Sequence, residues 1–409
     1  MPKPTIEGII GRDAMAALAR PVDEARGLPA AAYTSGEFHA LEQEALFPAV
    51  WVGIGFAGDI PATGDAVTLT LAGCPLVALR DEAGAVRVFH NVCRHRATVI
   101  LPAPARGLAR LQCPYHAWTY GLDGVLQATP FWDGTRNATR AGVDKATHGL
   151  VPVRSHVWNH VIFVNLDGKA PEPSEYFSPA FGLFADLEMS SLVLAHRETW
   201  EFAANWKLVL ENWENYHHVW VHDGIFDKMS DEVDLKTGAS YTQTLPEGNV
   251  LTLRRAADAP PRAGISSQIL GSLPPIPQKA GGLAFSGCTT AVLPNTTMTT
   301  GINTYAPVVY TPLGPDRTRA SMAWYFVGSA AEAPEFAAAR GKVLDRWLGA
   351  SRQMRDRTGL RSQDYHCLEL QQAARGSPVA DIVRFSPTWE RNVHHFQNWV
   401  VERLTTPLA

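Results

Sequence analysis

Short segments in which apolar and polar residues alternate dominate the chain from Trp51 to about Asp167. A period of two is typical of strands with one buried face. Three such segments are residues 66–71, 76–80 and 86–90. The sequence DEAG at 81–84 predicts a hairpin turn, and the apolar segment 157–166 predicts one longer strand. This part of the chain is therefore predicted to be a small all-β domain.

The pattern becomes mixed after about residue 170. Apolar residues recur at helical spacing in 206–219, 335–353 and 391–404. Four further segments are predicted strands: 250–254, 289–293, 305–311 and 321–327. Residues 255–282 are rich in Pro, Gly and Ala, which predicts an inserted loop, and residues 1–50 are predicted to be helical and peripheral. The pattern predicts an α+β domain whose sheet packs on helices.

Composition narrows the class of protein. A length of 409 residues suggests two or three domains, and 46% hydrophobic with 19% charged residues is ordinary for a globular chain. The net charge of −4 disfavours nucleic-acid binding. No apolar run approaches the roughly 18 residues of a membrane span, and the N-terminal residues lack the apolar core of a secretory signal. Five cysteines, an odd number, argue against a disulfide framework, so we expect a cytoplasmic protein.

Two short motifs combine cysteine with histidine. Cys93 and His95 form C-x-H, and Cys113 and His116 form C-x-x-H. A structural zinc site is one interpretation, but such sites usually pair cysteine with cysteine and histidine with histidine. A Rieske [2Fe–2S] cluster is the other, with two cysteines on one iron and two histidines on the other. Each motif then gives one ligand to each iron, which favours the Rieske cluster over zinc and over four unrelated loop residues.

The segments NVCRHR at 91–96 and CPYHAWTYGLDG at 113–124 resemble the Rieske non-haem iron oxygenases, over about residues 46–130. Thr98 and Tyr115 lie near the places where respiratory Rieske proteins have additional cysteines, which favours the oxygenase branch. Ala97 departs from the glycine that the family commonly has after CRHR.

The resemblance implies the fold class and the domains. The fold is α+β, with an N-terminal all-β Rieske [2Fe–2S] domain followed by a helix-grip (START-like, SRPBCC) antiparallel-sheet catalytic domain. The expected divisions are a helical segment at 1–45 that packs on the catalytic domain, the Rieske domain at 46–160 and the catalytic mononuclear iron domain at 161–409.

A second set of residues has the composition of an iron site. His217 and His222 are five residues apart, so they converge only if a helix ends or bulges between them. Two imidazoles and one carboxylate form the facial triad of non-haem Fe(II) oxygenases. The resemblance supplies the carboxylate from a late helix with a D-x₄-E pattern, which Asp364 and Glu369 match. It thus implies His217, His222 and Asp364 as ligands. The adjacent His218 is interpreted as a polar residue on the opposite helix face.

Glu214 lies three residues before His217. The resemblance implies that an acid at this position bridges a Rieske histidine of a neighbouring subunit, His116, to the iron ligand His217. Glu211 stays open as a rival for the bridge. A bridge between subunits also implies a homotrimer.

The resemblance implies an oxygenase component that hydroxylates or oxidatively demethylates a small organic substrate with O₂. The cofactors are one [2Fe–2S] cluster and one Fe(II) per subunit. The chain has no dinucleotide- or flavin-binding fingerprint, so a separate NAD(P)H-dependent reductase, directly or through a ferredoxin, is expected to supply the electrons.

Quaternary ammonium compounds and aromatic acids are both open as substrates. In glutamate at the bridge the chain resembles family members that act on the former. A cation–π face would suit the same substrates, and four aromatic residues could supply it: Trp213, Tyr216, Trp220 and Trp324. The alternatives are a ring-cis-dihydroxylating dioxygenase and, in a different class, a non-catalytic helix-grip binding module with a structural cluster. A pure electron carrier is disfavoured by the length of the chain.

Overall fold

The computed structural model describes ten stretches of the chain: residues 4–134, 143–144, 147–214, 217–222, 233–234, 236–255, 273–279, 287–349, 358–381 and 383–405. The chain divides into two compact units. One unit is residues 47–170, and the other combines residues 1–46 with 171–409.

Residues 47–170 contain three small antiparallel sheets, with strand orders β2-β3-β4, β5-β6-β7 and β1-β9-β8. The strands are β1 (Val52–Phe56), β2 (Ala66–Leu71), β3 (Cys74–Arg80), β4 (Val86–His90), β5 (Leu111–Gln112), β6 (Thr119–Tyr120), β7 (Leu126–Ala128), β8 (Arg154–Trp158) and β9 (Val161–Asn165). Side chains from the first two sheets form one apolar core that includes Phe89, Trp118 and Leu126. The prediction of an all-β domain is confirmed.

The prediction of one long strand at 157–166 is wrong, because this segment lies across a hairpin. Asn159 and His160 have φ values of 45° and 65°, which turn the chain between β8 and β9. Two successive residues with positive φ are typical of the tight turns that match strand twist, and asparagine is favoured there. The turn brings β9 beside β1, with Val164 opposite Val52. Residues 161–170 consequently lie in the same unit as β1.

The larger unit is built on a seven-stranded antiparallel sheet of order β10-β16-β15-β14-β13-β12-β11. Its strands are β10 (Leu192–Phe202), β11 (Thr242–Glu247), β12 (Val250–Arg255), β13 (Cys288–Val292), β14 (Thr296–Thr300), β15 (Tyr305–Gly314) and β16 (Arg317–Val327). The longest pairing joins β10 to β16 and runs from Leu192 opposite Val327 to Phe202 opposite Thr318.

Helices surround this sheet. The α-helices are α1 (Ile6–Ile10), α2 (Arg12–Leu18), α3 (Ala31–Thr34), α4 (Gly36–Leu41), α5 (Pro173–Tyr176), α6 (Ser178–Phe184), α7 (Trp206–Glu211), α8 (Ala337–Leu348), α9 (Leu360–Ala374) and α10 (Arg391–Thr405). A π-helical turn (Glu42–Leu46) follows α4, and short 3-10 helices are Ala57–Asp59, Met189–Ser191, Val219–Val221, Gly328–Ala331 and Pro334–Phe336.

The C-terminal helix α10 packs against β11 and β12, as the helix-grip fold requires. Trp399 Nε1 donates to Asn249 Oδ1 (2.9 Å), in the turn between these strands. His395 Nε2 lies 2.9 Å from the carbonyl oxygen of Gly248 in the same turn. The predicted combination of an N-terminal all-β domain with an antiparallel-sheet α+β domain is confirmed.

Two predicted helices are shorter than expected. The first ends at Glu211 instead of Val219, although Asn205 caps its start by accepting the N–H of Lys207 (3.0 Å). The second, α8, ends before Gly349, whose φ of 87° ends the helical path. Residues 350–353 of that prediction and most of the predicted loop 255–282 lie outside the described residues.

The N-terminal segment is tied into the larger unit by buried polar contacts. Tyr33 OH donates to Glu211 Oε1 (2.6 Å), and Gln372 Nε2 donates to the carbonyl oxygen of Tyr33 (3.1 Å). The fully buried Lys207 donates to Glu42 Oε1 (2.5 Å). Among the helices that the structure describes, none combines the length and apolar character of a membrane-crossing segment.

Candidate metal centres

The two cysteine–histidine motifs adopt the same backbone turn. The N–H of Cys93 donates to the carbonyl oxygen of Thr98 (2.8 Å), and the N–H of Cys113 donates to that of Trp118 (2.8 Å). Each turn therefore closes five residues after its cysteine, which places the cysteine and the histidine of each motif on one small loop. The shared geometry follows from local sequence and explains why the motifs were recognisable before the fold was known.

Both turns have an alanine in the left-handed region, four residues after the cysteine. Ala97 has φ 54° and Ala117 has φ 56°. Each N–H donates back to the carbonyl oxygen of its cysteine (3.0 Å). Glycine adopts this conformation without strain, whereas alanine does not. Ala97, which stands where the family commonly has glycine, is therefore accommodated at the expense of backbone strain.

The four predicted cluster ligands lie together. Cys93 and Cys113 are both 2% exposed, and the ring centroids of His95 and His116 are 4.6 Å apart. Nδ1 of His95 is buried and has no hydrogen-bond partner among the described residues. A buried ring nitrogen without a partner is unfavourable unless a ligand satisfies it. Two thiols beside two imidazoles, one with an orphaned nitrogen, fit a Rieske [2Fe–2S] cluster.

Two aromatic residues support this site, and the motif search did not single out either for this role. The ring of Trp118 stacks on that of His95, with centroids 4.9 Å apart and planes within 7°. Tyr120 OH lies 3.3 Å from Cys93 Sγ and accepts the N–H of Arg94 (3.0 Å). Burial raises the pKa of Tyr120, so its hydroxyl stays protonated at neutral pH. The available signal was their position directly after the second motif.

Three side chains meet in the larger unit with their polar atoms within 4.8 Å of one another: His218, His222 and Asp364. Asp364 Oδ1 lies 3.2 Å from His222 Nε2 and 3.5 Å from His218 Nε2. Asp364 projects from α9, and His222 directly follows the 3-10 helix Val219–Val221. Two imidazoles and one carboxylate are the donor set of a facial-triad iron site.

The electrostatics of this group follow from its burial. Burial alone would raise the pKa of Asp364, but the neighbouring His222 and His218 hold it well below its usual range. Burial disfavours the charged form of His218, but hydrogen bonds to Asp364 and Glu214 overcome this and raise its pKa to about 10. A metal ion at this position would replace a proton as the positive partner of the carboxylate.

Groups around the triad orient its members. Gln363 Oε1 lies 3.2 Å from His222 Nδ1, so the opposite ring nitrogen faces Asp364. Arg361 NH1 lies 3.8 Å from Asp364 Oδ2. Glu369, the second acid of the D-x₄-E pattern, accepts the N–H of Ala203 (3.0 Å). Gln363 and Arg361 were not among the predicted site residues.

The structure differs from the predicted ligand set at one member. His218, expected on the opposite helix face, lies in the triad, and His217 lies outside it with a side chain that is 46% exposed. The physical reason is spacing, because His218 and His222 are four residues apart and share one side of the turn. The ring of His217 stacks instead on Trp389, with centroids 5.8 Å apart.

Glu214 contacts both histidines of the adjacent pair. Its Oε1 lies 2.5 Å from His218 Nδ1, and its Oε2 lies 3.6 Å from His217 Nδ1. Burial works against ionisation, but the hydrogen bond to His218 outweighs it and lowers the pKa of Glu214. Glu211 has a different environment, since it accepts the Tyr33 hydroxyl and burial raises its pKa. Of the two acids, Glu214 is therefore the one that lies beside His217 and His218.

Three of the four residues of the predicted cation–π face are described, and their exposure differs. Trp213 and Trp324 are buried, whereas Trp220 is 60% exposed. Trp324 packs against His196 on the neighbouring strand β10. Tyr216 lies outside the described residues. The aromatic face stays a prediction.

Both units match known families. Residues 50–139 match the Rieske [2Fe-2S] domain, and residues 189–406 match the ring hydroxylating alpha subunit (catalytic domain). The two matches imply a [2Fe–2S] cluster and a mononuclear iron.

One curated relative is the glycine betaine monooxygenase oxygenase subunit of Chromohalobacter salexigens, 32% identical over 207 residues, which are 51% of this chain and 45% of that protein. The chain thus matches about half the length of the curated relatives.

Two solved structures share the fold. The quaternary ammonium Rieske monooxygenase CntA with a bound inhibitor has a TM-score of 0.73 at 21% identity, over 95% of this chain and 98% of that one. Naphthalene 1,2-dioxygenase from Rhodococcus sp. has a TM-score of 0.73 at 19% identity, over 97% and 99% of the two chains. At these identities the likeness concerns the fold alone.

Proposed function

We propose, since the chain belongs to the family of ring-hydroxylating α subunits, that it is the oxygenase component of a Rieske non-haem iron oxygenase system. The observation that carries the proposal is the buried group of two histidines and Asp364 in the catalytic unit. A binding module without catalysis has no need of a buried facial-triad donor set. Iron analysis of the purified protein tests the proposal, because the enzyme requires about three irons per chain and a cluster-only module about two.

The residues of each site have distinct tasks. Cys93, His95, Cys113 and His116 would hold the cluster, and His222 and Asp364 would hold the iron with one histidine of the pair 217–218. When bound, the cluster supplies one-electron transfer and the iron supplies activation of O₂. Gln363 orients His222, and the neighbouring His222 and His218 keep the Asp364 carboxylate ionised for metal binding, against the effect of its burial.

The third iron ligand has two candidates that are adjacent in sequence. The E-x₂-H-x₄-H spacing of the family resemblance supports His217, and the described geometry supports His218. Separate replacements decide between them. Loss of the single iron in His218→Ala, with retention in His217→Ala, supports the geometry, and the reverse result supports the spacing. The cluster signal serves as the internal control in both variants.

Glu214 is proposed as the bridge between the iron site and a cluster histidine, His116, of a neighbouring subunit. A carboxylate that accepts N–H bonds from two imidazoles fixes both rings and shortens the path for the electron. Glu214→Gln should keep both metal sites filled, while single-turnover reoxidation of the reduced cluster slows by orders of magnitude. Glu211→Gln keeps the contact with Tyr33 and should reoxidise at the wild-type rate. The opposite ranking would assign the bridge to Glu211.

A bridge between subunits requires an oligomer, and we propose a homotrimer. The test combines a chain that lacks the cluster, Cys93→Ser, with one that lacks the iron, Asp364→Ala. Each is inactive alone. In co-expressed mixed trimers about a quarter of the subunit contacts pair an intact cluster with an intact iron, so activity should return to about that fraction. Inactive mixed trimers would show that the electron stays within one chain.

The proposed electron source is a separate NAD(P)H-dependent reductase, directly or through a ferredoxin.

The proposed substrates are quaternary ammonium compounds, supported by glutamate at position 214 and by the relative that is named a glycine betaine monooxygenase. Hydroxylation of an N-methyl group consumes O₂, two electrons and two protons, forms one water, and releases formaldehyde from the hydroxymethyl product. Formaldehyde from glycine betaine, carnitine or choline with a surrogate reductase supports this assignment. Turnover of benzoate alone would move it to aromatic acids. The cytoplasmic location stays a prediction.

A further inference from the structure

The start of the C-terminal helix runs beside the residues proposed to couple the two metal sites. Trp389 stacks on His217 with an interplanar angle of 10°. Asn392 Nδ2 donates to the carbonyl oxygen of Trp213 (3.3 Å). Glu390 lies between these two residues in sequence, with Oε1 4.0 Å from His217 Nδ1. These three residues thus lie against His217 or Trp213, which stand on either side of Glu214 in the sequence.

Glu390 lies close to Glu214. A carboxyl oxygen of each residue lies within 4.8 Å of the other and of His217 Nδ1. Both carboxyl groups approach the same ring nitrogen, Nδ1 of His217, at 3.6 Å for Glu214 and 4.0 Å for Glu390. The other carboxyl oxygen of Glu214 is directed at His218, so its two oxygens have different partners.

Glu390 is itself held from the protein side. Its Oε2 accepts the N–H of Ser386 (2.5 Å), and its own N–H donates to the carbonyl oxygen of Ser386 (2.9 Å). The side chain is therefore fixed to the turn that precedes α10. The side chain is thus anchored at Oε2, while its Oε1 faces His217 beside the carboxyl group of Glu214.

We propose that Glu390 is a positioning residue that holds the carboxyl group of Glu214 toward the histidine pair 217–218. The proposal rests on the bridging role of Glu214 and extends it to the C-terminal helix. Glu390 touches neither substrate nor the reacting atoms. Without it, Glu214 gains freedom to rotate toward solvent, and the geometry needed for transfer is populated for a smaller share of the time.

The test compares three replacements at one position. Glu390→Ala removes the contact, Glu390→Asp shortens it by one methylene, and Glu390→Gln keeps its length and a hydrogen-bond donor. Glu402→Ala removes an exposed acid from α10, the helix that follows Glu390, and is the matched control. Iron content, the EPR spectrum of the reduced cluster and its single-turnover reoxidation are measured in each holoenzyme, together with kcat and KM.

We expect all variants to retain both metal sites and the wild-type cluster spectrum. Reoxidation and kcat should fall at least tenfold in Glu390→Ala and by less in Glu390→Asp. Glu390→Gln and Glu402→Ala should remain near wild type, with KM unchanged throughout. Rescue by glutamine separates positioning through a hydrogen bond from a general loss of stability. If Glu390→Ala does not fold, the comparison of aspartate with glutamine carries the same test.

Wild-type reoxidation in Glu390→Ala, while Glu214→Gln is slow, would overturn the role of Glu390 and leave the bridge intact. Wild-type reoxidation in Glu214→Gln would instead overturn the bridge on which the inference rests. Cluster reoxidation that is as slow in Glu390→Gln as in Glu390→Ala would also overturn the inference. In that case a hydrogen-bond donor of the same length would fail to position Glu214.

Discussion

Asp364→Asn removes the carboxylate from the centre of a buried charged group while keeping its volume. Its Oδ1 lies 3.2 Å from His222 Nε2 and 3.5 Å from His218 Nε2, and its Oδ2 lies 3.8 Å from Arg361 NH1. A neutral amide neither balances the positive charges of His218 and Arg361 nor matches a carboxylate as a ligand for iron(II). We expect the iron content to fall from about three to about two per chain, with the cluster spectrum unchanged.

The expected loss of stability in Asp364→Asn follows from the burial of the charged side chains. Asp364 is 3% exposed and Arg361 is 6% exposed, so solvent does little to replace the lost charge. Removing one member of a buried ion pair lowers stability by about 3–5 kcal/mol, since the remaining charge stays in a low-dielectric environment. Urea unfolding of protein without the mononuclear iron measures this loss. Loss of a protein ligand should weaken iron binding by at least the ~10–100-fold that follows loss of a supporting hydrogen bond.

The same helix provides the control. Glu369 lies five residues after Asp364, and its Oε1 accepts the N–H of Ala203 (3.0 Å). Glutamine at position 369 retains an acceptor oxygen, so Glu369→Gln should keep about three irons and wild-type stability. A third iron retained in Asp364→Asn, or lost in Glu369→Gln, would refute the placement of the carboxylate ligand.

Three further predictions address other parts of the molecule. Cys93→Ser should abolish the red-brown colour and the low-average-g EPR signal of the reduced cluster while leaving the single iron, and a colourless wild-type protein that contains zinc would contradict the cluster assignment. Ala97→Gly should raise the unfolding free energy by about 1–2 kcal/mol, because Ala97 has φ 54° and glycine relieves the left-handed strain; an unchanged urea midpoint would count against this. Burial and the charge of Glu214 raise the pKa of Glu390 to about 7 from 4.5, so the native state binds more protons than the unfolded chain between these values. The unfolding free energy of protein without the mononuclear iron should therefore fall as pH rises through this window, and Glu390→Gln should lack that component of the slope.

Sequence pattern identified strands where local signals agree. In the hairpin of β3 and β4, Asp81 Oδ1 accepts the N–H groups of Ala83 (3.0 Å) and Ala85 (2.8 Å), which is the turn chemistry that DEAG predicted. Strand β10 (Leu192–Phe202) was missed, although it is among the longest in the sheet. It lies at the sheet edge and carries charged residues such as Arg197 and Glu201. Charges on edge strands prevent unwanted pairing, and they also weaken the apolar alternation by which strands are recognised.

The two metal sites differ in how far sequence predicts them. The cluster ligands occupy two turns that close through local hydrogen bonds, so motif spacing was sufficient. In the iron site, His222 and Asp364 are far apart in sequence, because strands of the sheet and helix α8 lie between them. Only the family resemblance linked the two residues. Gln363 and Glu390 act through contacts between distant segments, and such contacts leave no pattern in a single sequence.

The choice between Glu211 and Glu214 as the bridging acid shows why such contacts cannot be predicted from the sequence alone. Three residues apart on an uninterrupted helix, both acids would lie on one face and compete for the same partners. The helix instead ends at Glu211, which stays inside the unit and accepts the hydroxyl of Tyr33, while Gln397 donates to that hydroxyl (3.1 Å). Beyond the helix end, the chain turns and directs Glu214 toward His218. Tyr33 of the N-terminal segment thus holds Glu211 in a hydrogen bond, whereas Glu214 lies beside His218 of the candidate iron site.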